Sequence, residues 1–315
     1  MLMAQSVDSI LQDALIYGRK YLSSGKVANY IPELAKADPC HLGVCLMLPD
    51  GSTYQAGDFQ LPFTMQSIAK TFSLILALKT AGYETVFSKV GMEPTGDCFD
   101  SIVQLETKQL PPFNPMINAG AIVTVSCINL QDPFEEFLSL VRQLCFRDTI
   151  ALNESVYLSE KRTGMRNRSI AYLLQSDQIL EGDPEQVLDQ YFRMCSVEVT
   201  TEDLARYGLI LANDGFDPIT STQMLEEWIV RIVKTLMLTC GMYDESGEFA
   251  VKAGIPSKSG VGGGIVAATE QGIGIATYGP VLNQKGNSIG GTHMLEYLSG
   301  KMNLHSFASK TYTAV

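Results

Sequence analysis

In the opening stretch MLMAQSVDSILQDALIYGRKYLSSG the apolar positions return at helical intervals, which predicts an amino-terminal helix of about twenty residues. The following GKVANYIPELAKADP carries Pro32, suited to a helix's first turn, and Pro39, suited to a stop. The pattern then changes: HLGVCLMLPDGSTYQAGD sets two extended apolar arms around Pro49-Asp50-Gly51, a hairpin signal. From Ser67 to about Leu238 helical periodicity dominates, broken by polar or Pro-rich loops such as QLPPFNP and SEKRTGMRNRS. After Tyr243 strand character returns in EFAVKAGIPSK, GGGIVAATE and GIGIATYGP, read as three neighbouring strands, and MLEYLSGKM reads as a closing helix. Extended segments at both ends and helices between them predict an α+β fold, an α/β sandwich whose one sheet is built from both termini with a helical subdomain inserted. The expected division is residues 1–66 plus 240–315 against 67–239, a single working unit with its site in the cleft between.

The 315 residues, 46% of them apolar, suffice for a core of that size. A formal net charge of −11 and a sequence pI near 4.8 advertise no basic surface, so nucleic acid is excluded as an expected partner. Acidic residues at Asp8 and Asp13 replace the basic start of an export signal, and apolar runs such as GAIVTVSCI are too short to span a bilayer. A soluble, cytoplasmic protein with no membrane partner is expected. The cysteines at 40, 45, 98, 127, 145, 195 and 240 form an odd set without a C-x-x-C pair, which predicts mostly buried, reduced thiols. His41, His293 and His305 share no metal-ligand spacing, so neither a metal nor a histidine base is expected.

Ser67 and Lys70 stand three apart where a polar loop enters the apolar run FSLILAL. On a helix this spacing puts hydroxyl and amine on one side, and the helix start adds unpaired N–H groups and a positive dipole end. A lysine acts as base only when neutral, so its pKa must fall from about 10.4 toward 7, roughly 4–5 kcal/mol of differential destabilisation of the ammonium. The same S-x-x-K occurs at Ser23 to Lys26 in a turn-like SSGK, so context must carry the reading. IPSKSGVGGGI supplies that context: a lysine, a serine and glycines at a strand edge, where small residues let a backbone N–H approach a substrate. An early Ser-x-x-Lys and a late Lys-Ser-Gly on a sheet made of both ends is the layout of serine acyl-transfer enzymes of the β-lactamase and penicillin-binding type. The Ser-x-Asn or Tyr-x-Asn middle motif of those enzymes is absent, and the expected substrate is small and intracellular. Gly262-x-Gly264-x-x-Ala267 loosely matches a dinucleotide fingerprint but has neither a βαβ unit nor the following acidic residue.

Longer stretches make a resemblance specific. NYIPELAKADP, MQSIAK, NPMINAGAI, SEKRTGMRN, YFRMCSVEVT, LANDGFDPIT, CGMYDESGEFA, AGIPSKSGVGGGI and GNSIGG, in that order, resemble the serine-dependent glutaminases from about Val27 to Gly291. That resemblance implies a β-lactamase-like fold with an antiparallel sheet, hydrolysis of L-glutamine to L-glutamate and ammonia through an acyl-enzyme, no cofactor, and a homodimer or homotetramer. It also implies roles: Ser67 as nucleophile, Lys70 as its base, the backbone N–H groups of Ser67 and Val261 as oxyanion hole, and Tyr30 and Tyr243 as proton relay beside the pair. Gln66, Asn118, Glu160, Asn167, Tyr191 and Tyr243 match substrate-holding positions. Their chemistry suits a free amino acid, with Glu160 for the ammonium and neutral amides and phenols for the rest, although which group meets which end is not legible. Taken singly, each has a plainer reading: the tyrosines as half-buried core aromatics, Asn118 as a helix cap, Glu160 as a solvated charge. Lys258 stays open between depressing the pKa of Lys70 and pairing with a carboxylate. Ala69, Ser257 and the Thr269-Glu270 pair depart from the family's usual residues, none at a position assigned to chemistry. The competing expectations are a penicillin-recognising or esterase-type hydrolase on the same frame, and an inactive binding protein.

Overall fold

The β-branched and apolar runs at the two ends of the chain meet in one antiparallel sheet. The structure, a computed structural model, describes residues 6–103, 106 and 111–308; Gln109 and Leu110 of the expected QLPPFNP loop and residues 1–5 of the expected first helix lie outside the described residues. The hairpin forms as expected from β1 (Gly43–Met47) and β2 (Thr53–Gly57). β3 (Ser257–Ser259), β4 (Gly264–Ala268) and β5 (Gly274–Tyr278) complete the order β2-β1-β5-β4-β3. One row of the register runs Gln55, Cys45, Ala276, Val266, Lys258, so Lys258 shares the pleat of residues that face the interior helices. Alternation assigns two cores. Cys45, Met47, Val266 and Ala276 pack into the helical interior, whereas Val44, Leu46, Ile265 and Ile275 face the other way.

The outer face is covered by α1 (Val7–Arg19), whose buried Leu11, Ala14, Leu15 and Gly18 follow the helical period and whose first turn is capped by Ser6. The helix is shorter than expected, and a separate turn at Leu22–Ser24 follows it. Pro32 precedes only a short turn at Leu34–Lys36. The interior holds α2 (Ala69–Ala81), every residue of which from Ala69 to Leu78 is buried, the mark of a helix enclosed on all sides. Against it pack α3 (Asn118–Ser126) and α6 (Pro184–Cys195), and α4 (Glu154–Thr163) and α5 (Met165–Ser176) pack in turn on α6. α7 (Thr201–Ala212), started by a Thr200–Asp203 capping box, lies on the inner face of the sheet. Contact there is so close that a Cβ on Gly274 would sit 2.1 Å from the Ala205 carbonyl oxygen.

Two expectations need correction. EFAVKAGIPSK does not begin as a strand: α8 (Ser246–Lys252) occupies its first half and β3 only its end. Phe249 and Ala253, four apart, are buried while Val251 is 79% exposed, a 3.6-residue period that the alternation of a strand would have reversed. The helical middle also contains short strands: Ala151–Leu152 pairs with Val197–Val199, which pairs on its other side with Phe63–Thr64, just ahead of the helical part. The closing helix, α9 (Ile289–Met302), starts earlier than expected, capped by Ser288. Of the cysteines, Cys40 and Cys98 are exposed, the others buried, and all are free. No described helix is long and apolar enough to cross a membrane.

Candidate active site

Pairing of Phe63–Thr64 with Val197–Val199 continues into a hydrogen bond from the Met65 amide to the Val197 carbonyl (2.9 Å) and fixes the approach to Ser67. Gln66 then takes a left-handed φ of 47°, uncommon outside glycine and turned here into a tight Gln66–Ile68 turn that feeds α2. Ser67 is 7% exposed and Lys70, one turn on, 1%. Burial lowers the Lys70 amine to about 8, opposed by the nearby acidic groups. Its Nζ donates to the Met116 carbonyl (3.1 Å) and Asn118 Oδ1 (2.8 Å), both neutral acceptors from the start of α3.

Asn118 joins the helices of the site: its Nδ2 donates to Asn167 Oδ1 on α5 (2.9 Å) and its Oδ1 accepts from the Tyr191 hydroxyl on α6 (3.4 Å). Glu160 on α4 is buried, with Gln66 Nε2 donating to its Oε2 at 3.4 Å and no cation within ion-pair distance among the described residues. Burial raises its carboxyl to about 8, the Gln66 bond and the Lys70 field opposing.

The second wall comes from the sheet. Tyr243, at a left-handed φ of 55°, donates its hydroxyl to the Ser259 carbonyl (3.2 Å). Burial holds that phenol well above its usual pKa, opposed by hydrogen bonds from Ser67 and the Val261 amide. Lys258 Nζ lies 4.4 Å above the Tyr243 ring and donates to the carbonyls of Gly241 and Ser259; it has no carboxylate partner among the described residues. Burial, and then the Lys70 charge, push its pKa well down. The turn Gly260–Gly263, which carries Val261 to the cavity, packs on the Ser67 segment: a Cβ on Gly260 would meet the Met65 carbonyl oxygen at 2.4 Å and the Ser67 amide nitrogen at 3.4 Å. Neither the Ser67 nor the Val261 amide has a backbone acceptor among the described residues. Tyr30 is 54% exposed as a residue and lines the cavity; burial of its hydroxyl, with the nearby Tyr243 and Glu160, raises that group well above the ordinary value.

A cavity of about 320 Å³ lies at the centre. Tyr30, Gln66, Ser67, Asn118, Glu160, Asn167, Tyr191 and Val261 line it; Lys70 and Tyr243 stand behind its wall. Three further contributors escaped the sequence reading. Phe99 packs its ring on Tyr243 (4.7 Å between centroids), and its carbonyl accepts from the Asn118 amide (2.8 Å). Arg166, at the mouth, donates to the Asp100 carbonyl (2.9 Å) and is the arginine or lysine among the lining residues. Cys195 lies buried at the base. Arg166 adjoins Asn167 in SEKRTGMRN, a usable signal; GDCFDS around Phe99 carries none.

The arrangement can deliver a hydroxyl nucleophile, an amine base of lowered pKa, the Ser67 and Val261 N–H groups that no backbone carbonyl takes, and a carboxylate for an ammonium in one enclosure.

Comparison with known proteins adds the following. The family model described as Glutaminase matches residues 25–307. A protein named Glutaminase 2 from Clostridium perfringens is 49% identical over 303 residues, covering 95% of this chain and 99% of that one. A glutaminase from Clostridioides difficile is 50% identical over 304 residues, covering 95% and 98%. The crystal structure of a Bacillus subtilis glutaminase in covalent complex with 5-oxo-L-norleucine, formed by reaction with 6-diazo-5-oxo-L-norleucine, superposes with TM-score 0.88 at 38% identity, covering 96% of this chain and all of that one.

Proposed function

The chain belongs to the glutaminase family, and from that premise we propose that it hydrolyses the side-chain amide of L-glutamine to L-glutamate and ammonia through an acyl-enzyme on Ser67. The observation that carries the mechanism is the Lys70 amine: enclosed one turn from Ser67, held by neutral acceptors, its pKa down to about 8. A neutral Lys70 accepts the Ser67 proton as Oγ bonds to the amide carbon, and the oxyanion takes the Ser67 and Val261 N–H groups. The ammonium so formed returns the proton to the amide nitrogen as the C–N bond breaks, and ammonia leaves. Water then attacks the ester, giving its proton to Lys70; the proton passes back to Ser67 Oγ as glutamate departs. Tyr30 and Tyr243 border this path and serve as its relay, while Gln66, Asn118, Asn167 and Tyr191 orient the amino-acid end and Glu160 takes its ammonium.

The residue groups act as one unit across the two parts of the chain, 1–66 plus 240–315 and 67–239. Family membership further supports a cytoplasmic homodimer or homotetramer. The test is ammonia release from L-glutamine by the purified protein and its Ser67→Ala variant, with EDTA present and a chromogenic β-lactam in parallel. Metal-independent release that collapses in the variant supports the reading. Turnover of the β-lactam alone moves the protein to the penicillin-recognising class, and silence on both favours a binding protein.

A further inference from the structure

Tyr243 holds a left-handed backbone, φ 55°, that a bulky aromatic rarely adopts without support from its surroundings. That support comes from a loop behind the cavity wall, none of whose residues lines the cavity. Asn287, fully buried just before α9, donates its Nδ2 to the Met242 carbonyl (3.1 Å) and to Glu245 Oε2 (2.6 Å), so it grips both sides of the Tyr243 peptide. Glu245 Oε2 also accepts from Asn283 Nδ2 (2.8 Å), and Asn283 Oδ1 accepts from the Asn287 amide (3.1 Å), which closes a ring between residues 242–246 and 283–287. Within the turn, the Ser246 hydroxyl accepts from the Met242 amide (3.0 Å) and donates to the Tyr243 carbonyl (2.7 Å). Lys285 pairs with Asp244 at the rim of the same junction. A relaxed Tyr243 would swing its hydroxyl away from Ser67 and from the Ser259 carbonyl.

We propose that Asn287, with Glu245 and Ser246, is a positioning device for the reaction: it holds the strained Tyr243 backbone so that the phenol stays beside Ser67. The inference rests on the proposed glutaminase reading and on a working role for the Tyr243 hydroxyl. Asn287 touches neither substrate nor reacting atoms; its effect passes through Tyr243.

The test is a double-mutant cycle on ammonia release from L-glutamine, with thermal unfolding followed on every variant. Asn287→Ala is expected to lower kcat on the order of tenfold or more in the native background, and less than about twofold in Tyr243→Phe, where the phenol it positions is already gone. Glu245→Gln, which keeps an acceptor oxygen for both asparagine amides, retains most activity, whereas Glu245→Ala follows Asn287→Ala. A merely structural role would lower the unfolding temperature alike in both backgrounds and lower kcat by the same factor in both, and that equality overturns the proposal. If Asn287→Ala fails to fold, Ser246→Ala runs the same cycle. Unchanged kcat in folded variants overturns the brace with the reaction intact; no ammonia from the native protein overturns the reading beneath it.

Discussion

Glu160→Gln separates what the buried carboxylate does for binding from what it costs the fold. The side chain keeps its shape and can still meet Gln66, but the ammonium of a bound amino acid loses its counter-ion in an enclosed site, worth about 3–5 kcal/mol when one partner of a buried pair is removed. That corresponds to a loss on the order of 10²- to 10⁴-fold in kcat/KM. The pH dependence follows from the carboxyl at about 8. In the free enzyme it is neutral below that value, a cationic substrate binds the ionised form, and binding therefore releases a proton. The ionised fraction falls from about one half at pH 8 to about one hundredth at pH 6, so this group alone lowers substrate affinity about fiftyfold over that range. The glutamine variant loses this slope.

Stability moves the other way. An acid whose folded pKa is raised from 4.5 to about 8 stabilises the fold fully only below the unfolded value, and that contribution is lost as pH rises through the folded one. At 1.36 kcal/mol per decade the penalty reaches up to about 5 kcal/mol by pH 8, and Glu160→Gln removes it. Differential scanning fluorimetry from pH 5 to 9, paired with steady-state ammonia release, reads both effects. A variant that unfolds no later than the native protein at pH 8, or that keeps the native pH slope of KM, would refute the assignment of Glu160 as the buried ammonium acceptor.

Gly260→Ala places a Cβ 2.4 Å from the Met65 carbonyl oxygen, so the turn carrying Val261 must move away from Ser67. Misplacing an oxyanion donor by such a step lowers kcat about 10²-fold, with KM little changed; kcat within threefold of native in steady-state assays would show the turn is not the donor. Arg166→Ala removes a permanent positive charge from the cavity mouth. Because the guanidinium is exposed and screened, the expected effect is only about 1 kcal/mol, roughly a fivefold rise in KM for L-glutamine. The rise should be absent for the α-amide of glutamine and shrink with added salt; equal effects on both substrates would count against a carboxylate at that rim.

The sheet from both chain ends was legible as short apolar and β-branched runs set off by turn residues and glycines, around Cys45 and Val266, and the helical middle as helical periodicity and, in α2, continuous apolarity. α8 was not, since SGEFAVK is too short for its period to be told from a strand until Val251 is seen in solvent. Ser67 and Lys70 were legible as spacing, and the depressed amine as a requirement. The acceptors that hold Lys70, the Met116 carbonyl and Asn118, come from a chain segment nearly fifty residues away and depend on how α3 docks. Glu160, Tyr191 and Asn167 were reachable only through resemblance, because a glutamate in SEKR has no local mark of burial. Phe99 and the Asn287 brace act through packing and backbone carbonyls, which sequence spacing does not encode.

The central claim is that Ser67 is the nucleophile, armed by Lys70. The most direct measurement is intact and peptide mass spectrometry after exposure to 6-diazo-5-oxo-L-norleucine, comparing the native protein with Ser67→Ala and Lys70→Met. The account predicts one adduct, on the peptide containing Ser67, absent from Ser67→Ala and formed far more slowly in Lys70→Met. An adduct on another residue, or undiminished labelling of Ser67→Ala, would contradict it.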